Sequence, residues 1–105
     1  RGMRPRVPWM NETDDAILEF FEKLEGVGGF RVALPPTAVW FNLVEEAAVL
    51  DKAPNTVSRR MSRLQAMELL ELVDEDRAYY KFTDKGLAYL NGDLDAEDLE
   101  LPNDE

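Results

Sequence analysis

Apolar residues recur at helical spacing in the first quarter of the chain, where Ile17, Phe21 and Leu24 form one stripe. Acidic residues crowd the positions just before this stripe, and carboxylates in a first turn complement the dipole of a helix. The pattern therefore predicts a helix over 12–25, which the glycine-rich stretch 26–29 ends.

An extended piece over 30–34 separates this helix from a second one. The second helix begins around 35–37, since proline is tolerated only in a first turn and the threonine that follows is a good cap. Its end is harder to place, because the apolar pattern continues to Leu50 before Pro54 breaks it. The apolar positions that we expect to face the core are Val39, Trp40, Phe41, Leu43 and Ala47.

A third helix is predicted from about Pro54 to Met67, with one apolar and one basic face. At about 100° per residue, Val57, Met61 and Leu64 fall within one narrow arc and should face the core. Arg60 lies beside that arc and can extend along it. The opposite side of the helix carries Asn55, Thr56, Arg59, Ser62 and Arg63.

A β-hairpin and a short helix complete the predicted elements. Two apolar segments, 69–73 and 79–82, are typical of strands around a polar turn at 74–78. Thr83 then caps a last helix, which Gly92 ends. Because side chains alternate between the two faces of a strand, those of Tyr80 and Phe82 in the second strand should point inward.

The order of elements is helix, helix, turn, helix, strand, turn, strand, helix, which is a helix-turn-helix unit followed by a β-hairpin wing. We therefore predict a mainly α fold with a small β-hairpin, a winged helix-turn-helix domain over 12–92. An N-terminal arm over 1–11 precedes it and an acidic C-terminal tail over 93–105 follows it. The two residues before Met3 are interpreted as residues left from an expression tag, so no function is assigned to them.

The chain is strongly acidic, but its charge is unevenly distributed. Against 12 Lys and Arg stand 22 Asp and Glu, so the formal net charge is −10. Seven of the acids lie in the stretch 91–105, which has no basic residue, and without them the net charge is −3. From Lys52 to Met67 the chain carries four cations and no acid, so a basic segment lies within an acidic protein.

The composition also indicates where the protein works. Arginine outnumbers lysine eight to four, and a surface rich in acids and poor in lysine stays hydrated in concentrated salt, which favours a halophilic host. No apolar run reaches the roughly 18 residues of a membrane span, and no signal-peptide pattern is present. We therefore expect a cytoplasmic protein without a membrane partner.

Histidine and cysteine are both absent, which removes imidazole bases, thiolate nucleophiles, disulfides and the usual zinc ligands. Adjacent acids such as Asp14 and Asp15, or Glu45 and Glu46, point about 100° apart on a helix and do not converge on one atom. No glycine-rich phosphate loop and no nucleophile elbow occurs. We therefore expect neither an enzyme nor a bound metal or cofactor.

The basic face of the third helix has the side chains that major-groove recognition requires, because Arg pairs bidentately with guanine and Asn or Thr reaches base edges or phosphates. We predict a DNA-binding transcriptional regulator whose partner is double-stranded DNA. At the wing tip, Arg77 competes with Glu75 and Asp76, which repel phosphates. The predicted DNA-contacting residues are Lys52, Asn55, Thr56, Arg59, Arg60, Ser62, Arg63 and Arg77.

Several strings of residues resemble the small winged-helix regulators of haloarchaea that are similar to the repressor of the halobacterial phage phi-H. These strings are LPPT at 34–37, TVSRRMSRL at 56–64, YYKFTDKG at 79–86 and, most specific, AYLNGDLDAEDL at 88–99. The resemblance covers most of the chain and implies an archaeal transcriptional regulator, in particular a repressor. The chain departs from the family in a longer connection over 44–50 and at Asp51, where many such turns carry glycine. Aspartate tolerates a left-handed turn, so the fold is kept while the angle between the second and third helices stays open.

A winged helix that serves only as a protein-interaction or dimerisation module is the alternative to DNA binding. The two functions differ in whether a positive patch centred on the arginines survives on the folded surface, since Glu68, Glu71 or the tail could neutralise it. Helix-turn-helix proteins commonly dimerise over two half-sites, so we expect a homodimer. The free surfaces for it are the first helix with the Trp9 segment, or the last helix.

Overall fold

The first helix, α1, begins at Glu12 and ends at Lys23 in the computed structural model, which describes residues 4–25 and 30–99. The glycine-rich stretch 26–29, which the sequence analysis places at the end of α1, lies outside the described residues. So do the first three residues of the arm and the last six residues of the acidic tail.

A capping box begins α1. The side-chain oxygen of Asn11 accepts hydrogen bonds from the backbone N–H groups of Thr13 and Asp14. In return, the carboxylate of Asp14 accepts from the Asn11 N–H at 2.9 Å, which satisfies a further N–H at the helix start. The residues of α1 that are buried in the core are Ile17, Leu18 and Phe21.

The second helix, α2, covers Pro36–Trp40 and continues as a π-helical turn over Phe41–Glu46. The N–H of Ala47 bonds to the carbonyl of Asn42, five residues back, at 2.8 Å. This wider turn ends the helix and breaks the 3.6-residue repeat on which the apolar face was predicted. Ala47 is consequently exposed, so the prediction that it faces the core is wrong.

Two aromatic residues of α2 that were expected in the core differ in their surroundings. Trp40 is half-buried and packs against the core. Phe41 is 48% exposed, because it lies two positions after the buried Val39 and therefore about 200° around the helix. The core prediction is wrong for Phe41.

The third helix, α3, covers Pro54–Ala66 and packs against both α1 and α2. Pro54 occupies its first turn, where the missing N–H of proline costs nothing. Val57, Met61 and Leu64 are fully buried, which confirms the apolar arc predicted from the sequence. The orientation of α3 about its own axis is therefore set by these three side chains, and its opposite side faces solvent.

The hairpin consists of β1, Leu70–Asp74, and β2, Tyr79–Phe82, which pair antiparallel. Tyr80 and Phe82 are buried, as the alternation predicts. The extended piece before α2 joins this sheet through Leu34, whose N–H and C=O groups both bond to Tyr80, at 2.8 and 2.9 Å. This isolated antiparallel bridge ties the start of the helix-turn-helix unit to the two-stranded wing.

The last helix, α4, covers Asp84–Asn91, with Thr83 as its cap and Gly92 in the left-handed conformation at its end. A 3₁₀ turn follows at Ala96–Leu99, and Leu99 is fully buried. Packing thus continues past Gly92, where the sequence analysis begins the tail. None of the helices within 4–25 and 30–99 has the length and apolarity needed to cross a membrane.

Candidate nucleic-acid interface

The solvent-facing side of α3 presents a row of polar and basic side chains. Asn55, Arg59 and Arg63 are exposed and follow one another at intervals of four residues, which places them on one side of the helix. Ser62 is exposed beside them, and Thr56 is half-buried. The structure thus brings together five of the residues predicted to contact DNA, opposite the buried arc of α3.

The cations of this row form no ion pairs. Within residues 4–25 and 30–99, no ion pair involves Arg59, Arg63 or Lys52. Glu68 and Glu71, which the sequence suggested as counter-charges, follow the end of α3 and form no ion pair with it. In the described part of the chain, Arg59, Arg63 and Lys52 are thus not engaged in ion pairs, as DNA binding would require.

Arg60 is not part of this exposed row. Its Nε donates to Oδ1 of Asp14 at 2.8 Å, and its Nη2 donates to Oδ2 of Asp14 and to the carbonyl of Trp9, each at 2.5 Å. The hydrogen bonds that the Arg60 guanidinium donates to the Asp14 carboxylate raise the pKa of Arg60 above its ordinary value. This side chain is engaged within the domain, although the sequence analysis groups it with the DNA-contacting residues.

The position of Arg60 on the helical wheel indicates why it differs from Arg59. Arg60 lies only about 40° from the buried Leu64, whereas Arg59 lies about 140° from it. An arginine at the border of an apolar arc is placed to reach a partner on a neighbouring element. The partner itself, Asp14, is 46 positions earlier in the chain, and no local pattern identifies it.

The connection between α2 and α3 is held by Trp40. Its indole N–H donates to the carbonyl of Lys52 at 2.8 Å, which fixes the backbone just before α3 begins. The left-handed residue of this connection is Ala48, with φ of 55°, and not Asp51 as expected. Lys52 is exposed and lies two positions before α3 begins.

The wing tip carries Arg77, which is on a different element from the α3 row. Its Nη1 lies 3.2 Å from Oδ2 of Asp74, and its side chain is 71% exposed. Glu75 and Asp76, also exposed, follow Asp74 in the same turn. The tip of the wing is therefore acidic, with its one cation already paired.

Trp9, in the arm, is a residue of this region that sequence reasoning missed. The centre of its ring lies 6.0 Å from Cζ of Arg60 and 5.9 Å from Cζ of Arg63. A single aromatic residue ahead of α1 has no periodicity that would connect it with a helix fifty positions later. Its placement follows from the tertiary fold alone.

A cleft of about 480 Å³ lies between the arm, the start of α1 and α4, and no residue of α3 lines it. Polar residues that line it already have partners: the hydroxyl of Tyr89 donates to Asp15 at 2.6 Å, and Arg4 pairs with Glu19, outside the lining, at 2.7 Å. Burial, together with the bond to Asp15, raises the pKa of the Tyr89 hydroxyl well above its ordinary value. The described ranges contain no cluster of acidic side chains arranged to hold a metal ion.

Comparison with known proteins agrees with this architecture. A family model described as winged helix-turn-helix phage repressor matches residues 3–102. Among solved structures, the chain is similar to the PhiH1 repressor-like protein from Haloarcula marismortui, with 28% sequence identity and a TM-score of 0.68. That similarity covers 88% of this chain and 89% of the other. No curated protein sequence matches the chain significantly. The winged helix-turn-helix fold and the resemblance stated from the sequence are both confirmed.

Proposed function

The chain belongs to the winged helix-turn-helix phage repressor family, and on this premise we propose that it is a DNA-binding transcriptional regulator, in particular a repressor, which reads the major groove with α3. The observation that carries the proposal is the exposed row on α3 in which Arg59 and Arg63 have no ion-pair partner among the described residues. The family is a class of regulators, so the proposal does not include catalysis.

The dimensions of the row suit a short stretch of base pairs. From Asn55 to Arg63 there are eight residue steps, which is about 12 Å along a helix. At about 3.4 Å per base pair, the row covers roughly three to four base pairs. We assign Arg59 and Arg63 to base edges, because a guanidinium pairs bidentately with guanine, and Asn55 to an adenine or a phosphate.

The remaining predicted residues have supporting roles in this proposal. Thr56 and Ser62 flank the row, and Lys52 lies at the start of α3, where a phosphate contact is expected. Arg60 is left out, since its guanidinium is committed to Asp14. Arg77 can contact a phosphate only if its guanidinium first releases the carboxylate of Asp74.

We further propose that the protein binds DNA as a homodimer, because one recognition helix reads too few base pairs to define a unique site. A dimer reads two half-sites and so recognises a longer sequence. The Trp9 segment, expected from the sequence as a dimer surface, is occupied by contacts with α3 of the same chain. The test is the mass in solution by sedimentation equilibrium, with and without DNA.

The proposed setting is the cytoplasm of a halophilic archaeon, where the DNA is directly accessible. The excess of acids, with 22 Asp and Glu against 12 Lys and Arg, supports a protein that works in concentrated salt. The similarity to a protein from Haloarcula marismortui supports the same setting.

Genome-wide crosslinking of the tagged protein in its host tests the proposed function, because it detects DNA occupancy and reveals the site at once. The matched control is the variant with Arg59→Ala and Arg63→Ala, expressed at the same level. We expect discrete occupied sites for the unmodified protein and none for the variant. Equal occupancy by the two proteins, or no occupancy by either, would support the alternative of a protein-interaction module.

A further inference from the structure

Trp9 lies directly against the side of α3 that borders the DNA-contacting row. Its ring is within 6.0 Å of the guanidinium carbons of both Arg60 and Arg63, and its carbonyl accepts a hydrogen bond from Arg60. On a helical wheel these two arginines are about 60° apart, so one ring can contact both. The arm is therefore packed beside α3.

The orientation of the Trp9 ring is fixed from a second side. Its indole N–H donates to the carbonyl of Leu99 at 2.6 Å, and Leu99 is fully buried. Val7 and Met10, on either side of it in the arm, pack against the core. The ring thus has a defined position that depends on the first and last described segments of the chain.

Arg63 has no other means of being held. Within the described part of the chain, its side chain forms no hydrogen bond and no ion pair. A long exposed side chain of this kind has high rotamer entropy, which is lost when it binds. An aromatic face attracts a guanidinium and restricts it, while the N–H groups at the edge stay free to donate.

We propose that Trp9 is a positioning residue for DNA recognition: it holds Arg63 in the orientation from which Arg63 contacts a base, without touching DNA itself. The inference rests on the proposed function. It predicts that Trp9 acts on DNA affinity through Arg63 and not through Arg59, which contacts no aromatic ring in the described residues. Arg59 is thus an internal control on the same helix.

The contact is first measured in the free protein. The chain has two tryptophans, so Trp40→Phe leaves Trp9 as the single fluorophore. In that background we expect Arg63→Ala to change the emission of Trp9 and Arg59→Ala to leave it unchanged. An emission that responds equally to both substitutions, or to neither, would overturn the proposed contact.

The effect on DNA is measured by a double-mutant cycle, using the fragment most enriched by crosslinking and a shuffled duplex of the same length. An exposed cation–π contact corresponds to about a two- to fivefold change in affinity, so we expect Trp9→Leu to weaken binding to the enriched fragment by that factor. Binding to the shuffled duplex should stay unchanged. In the Arg63→Ala background, Trp9→Leu should have no further effect, whereas in the Arg59→Ala background its full effect should remain.

The conservative variant Trp9→Phe separates positioning from mere stability. It keeps an aromatic face for Arg63 and loses the hydrogen bond to Leu99, so we expect it to retain more affinity for the enriched fragment than Trp9→Leu. The inference alone would be overturned if Trp9→Leu caused the same loss of affinity with and without Arg63. It would also be overturned if Trp9→Phe and Trp9→Leu caused the same loss of affinity in folded proteins. If the unmodified protein binds neither duplex, the proposed function fails and the inference with it.

Discussion

Arg60 on α3 and Asp14 on α1 form an ion pair with two hydrogen bonds, in which the Asp14 side chain is fully buried and the Arg60 side chain is 20% exposed. The same carboxylate accepts from the N–H of Asn11 and so closes the capping box of α1. One buried charge thus joins the start of α1 to the middle of α3. A buried carboxylate is costly unless it is paired, and Arg60 provides that pairing.

Removing Arg60 should destabilise the domain. We expect Arg60→Ala to lower the free energy of unfolding by about 3 kcal/mol, because it leaves the carboxylate of Asp14 buried without its cation. The matched control is Arg59→Ala, one position earlier and exposed, which should change it by less than about 0.5 kcal/mol. Urea denaturation of both variants provides the comparison, and equal stabilities would contradict the structural role of Arg60.

The orientation of α3 is tested by two neighbouring substitutions that introduce the same carboxylate. Met61→Asp should unfold the domain, because a buried unpaired carboxylate costs several kcal/mol against a total stability of about 5–15 kcal/mol. Ser62→Asp should leave the fold intact, since Ser62 is exposed, and should weaken DNA binding by placing an acid in the row. A cooperative melt of Met61→Asp within a few degrees of the unmodified protein would show that α3 is oriented differently.

Dependence on salt is expected to be unusual for a DNA-binding protein. Proteins that neutralise phosphates lose affinity steeply as salt rises, but a net charge of −10 repels DNA at low ionic strength. In 1 M salt the Debye length is about 3 Å, so this repulsion is screened while contacts at hydrogen-bond distance lose less. We expect a shallow dependence of affinity on KCl, with a rise from low salt toward the molar range.

The acidic tail is attached close to α3, because the carbonyl of Leu99 bonds to Trp9, whose ring contacts Arg63. Replacing the three acids within 100–105 by their amides removes three negative charges and keeps the Leu99 carbonyl in its peptide bond, and we expect it to make the salt dependence steeper and negative. Binding isotherms for both proteins across KCl, with circular dichroism at each point, measure the difference. Identical steep losses of affinity in the two folded proteins would show that the tail does not influence binding.

Local periodicity was sufficient to predict most of the fold. The spacing of Val57, Met61 and Leu64 identifies the buried side of α3, because three residues at helical intervals share one face. Gly92 ends α4 because glycine adopts the left-handed conformation, with φ of 79°, without strain. Such features depend on a few neighbouring residues, and the sequence displays them directly.

What could not be predicted depends on residues far apart in the chain. The pair of Arg60 with Asp14 joins positions 46 apart, and the bond from Trp9 to Leu99 joins positions 90 apart. The π-helical turn that exposes Ala47 was not predicted either, because the spacing of Val39, Leu43 and Ala47 fits an ordinary α-helix. The candidate site was therefore predicted as one face of α3, but its contacts with Asp14 and Trp9 were not predicted.

If Arg59 and Arg63 carry the specific recognition of DNA, replacing both by alanine should remove it, and the affinity of this double variant for DNA measures the effect. The matched control is Lys23→Ala with Lys85→Ala, which lowers the net charge equally by removing two cations outside α3. With each lost base contact worth about 1–3 kcal/mol, we predict that the arginine variant loses at least about 30-fold in affinity for the enriched fragment, while its circular dichroism spectrum is unchanged. The lysine control should stay within about threefold of the unmodified protein. An arginine variant that binds as tightly as the control, with its fold intact, would contradict the assignment of α3 as the recognition helix.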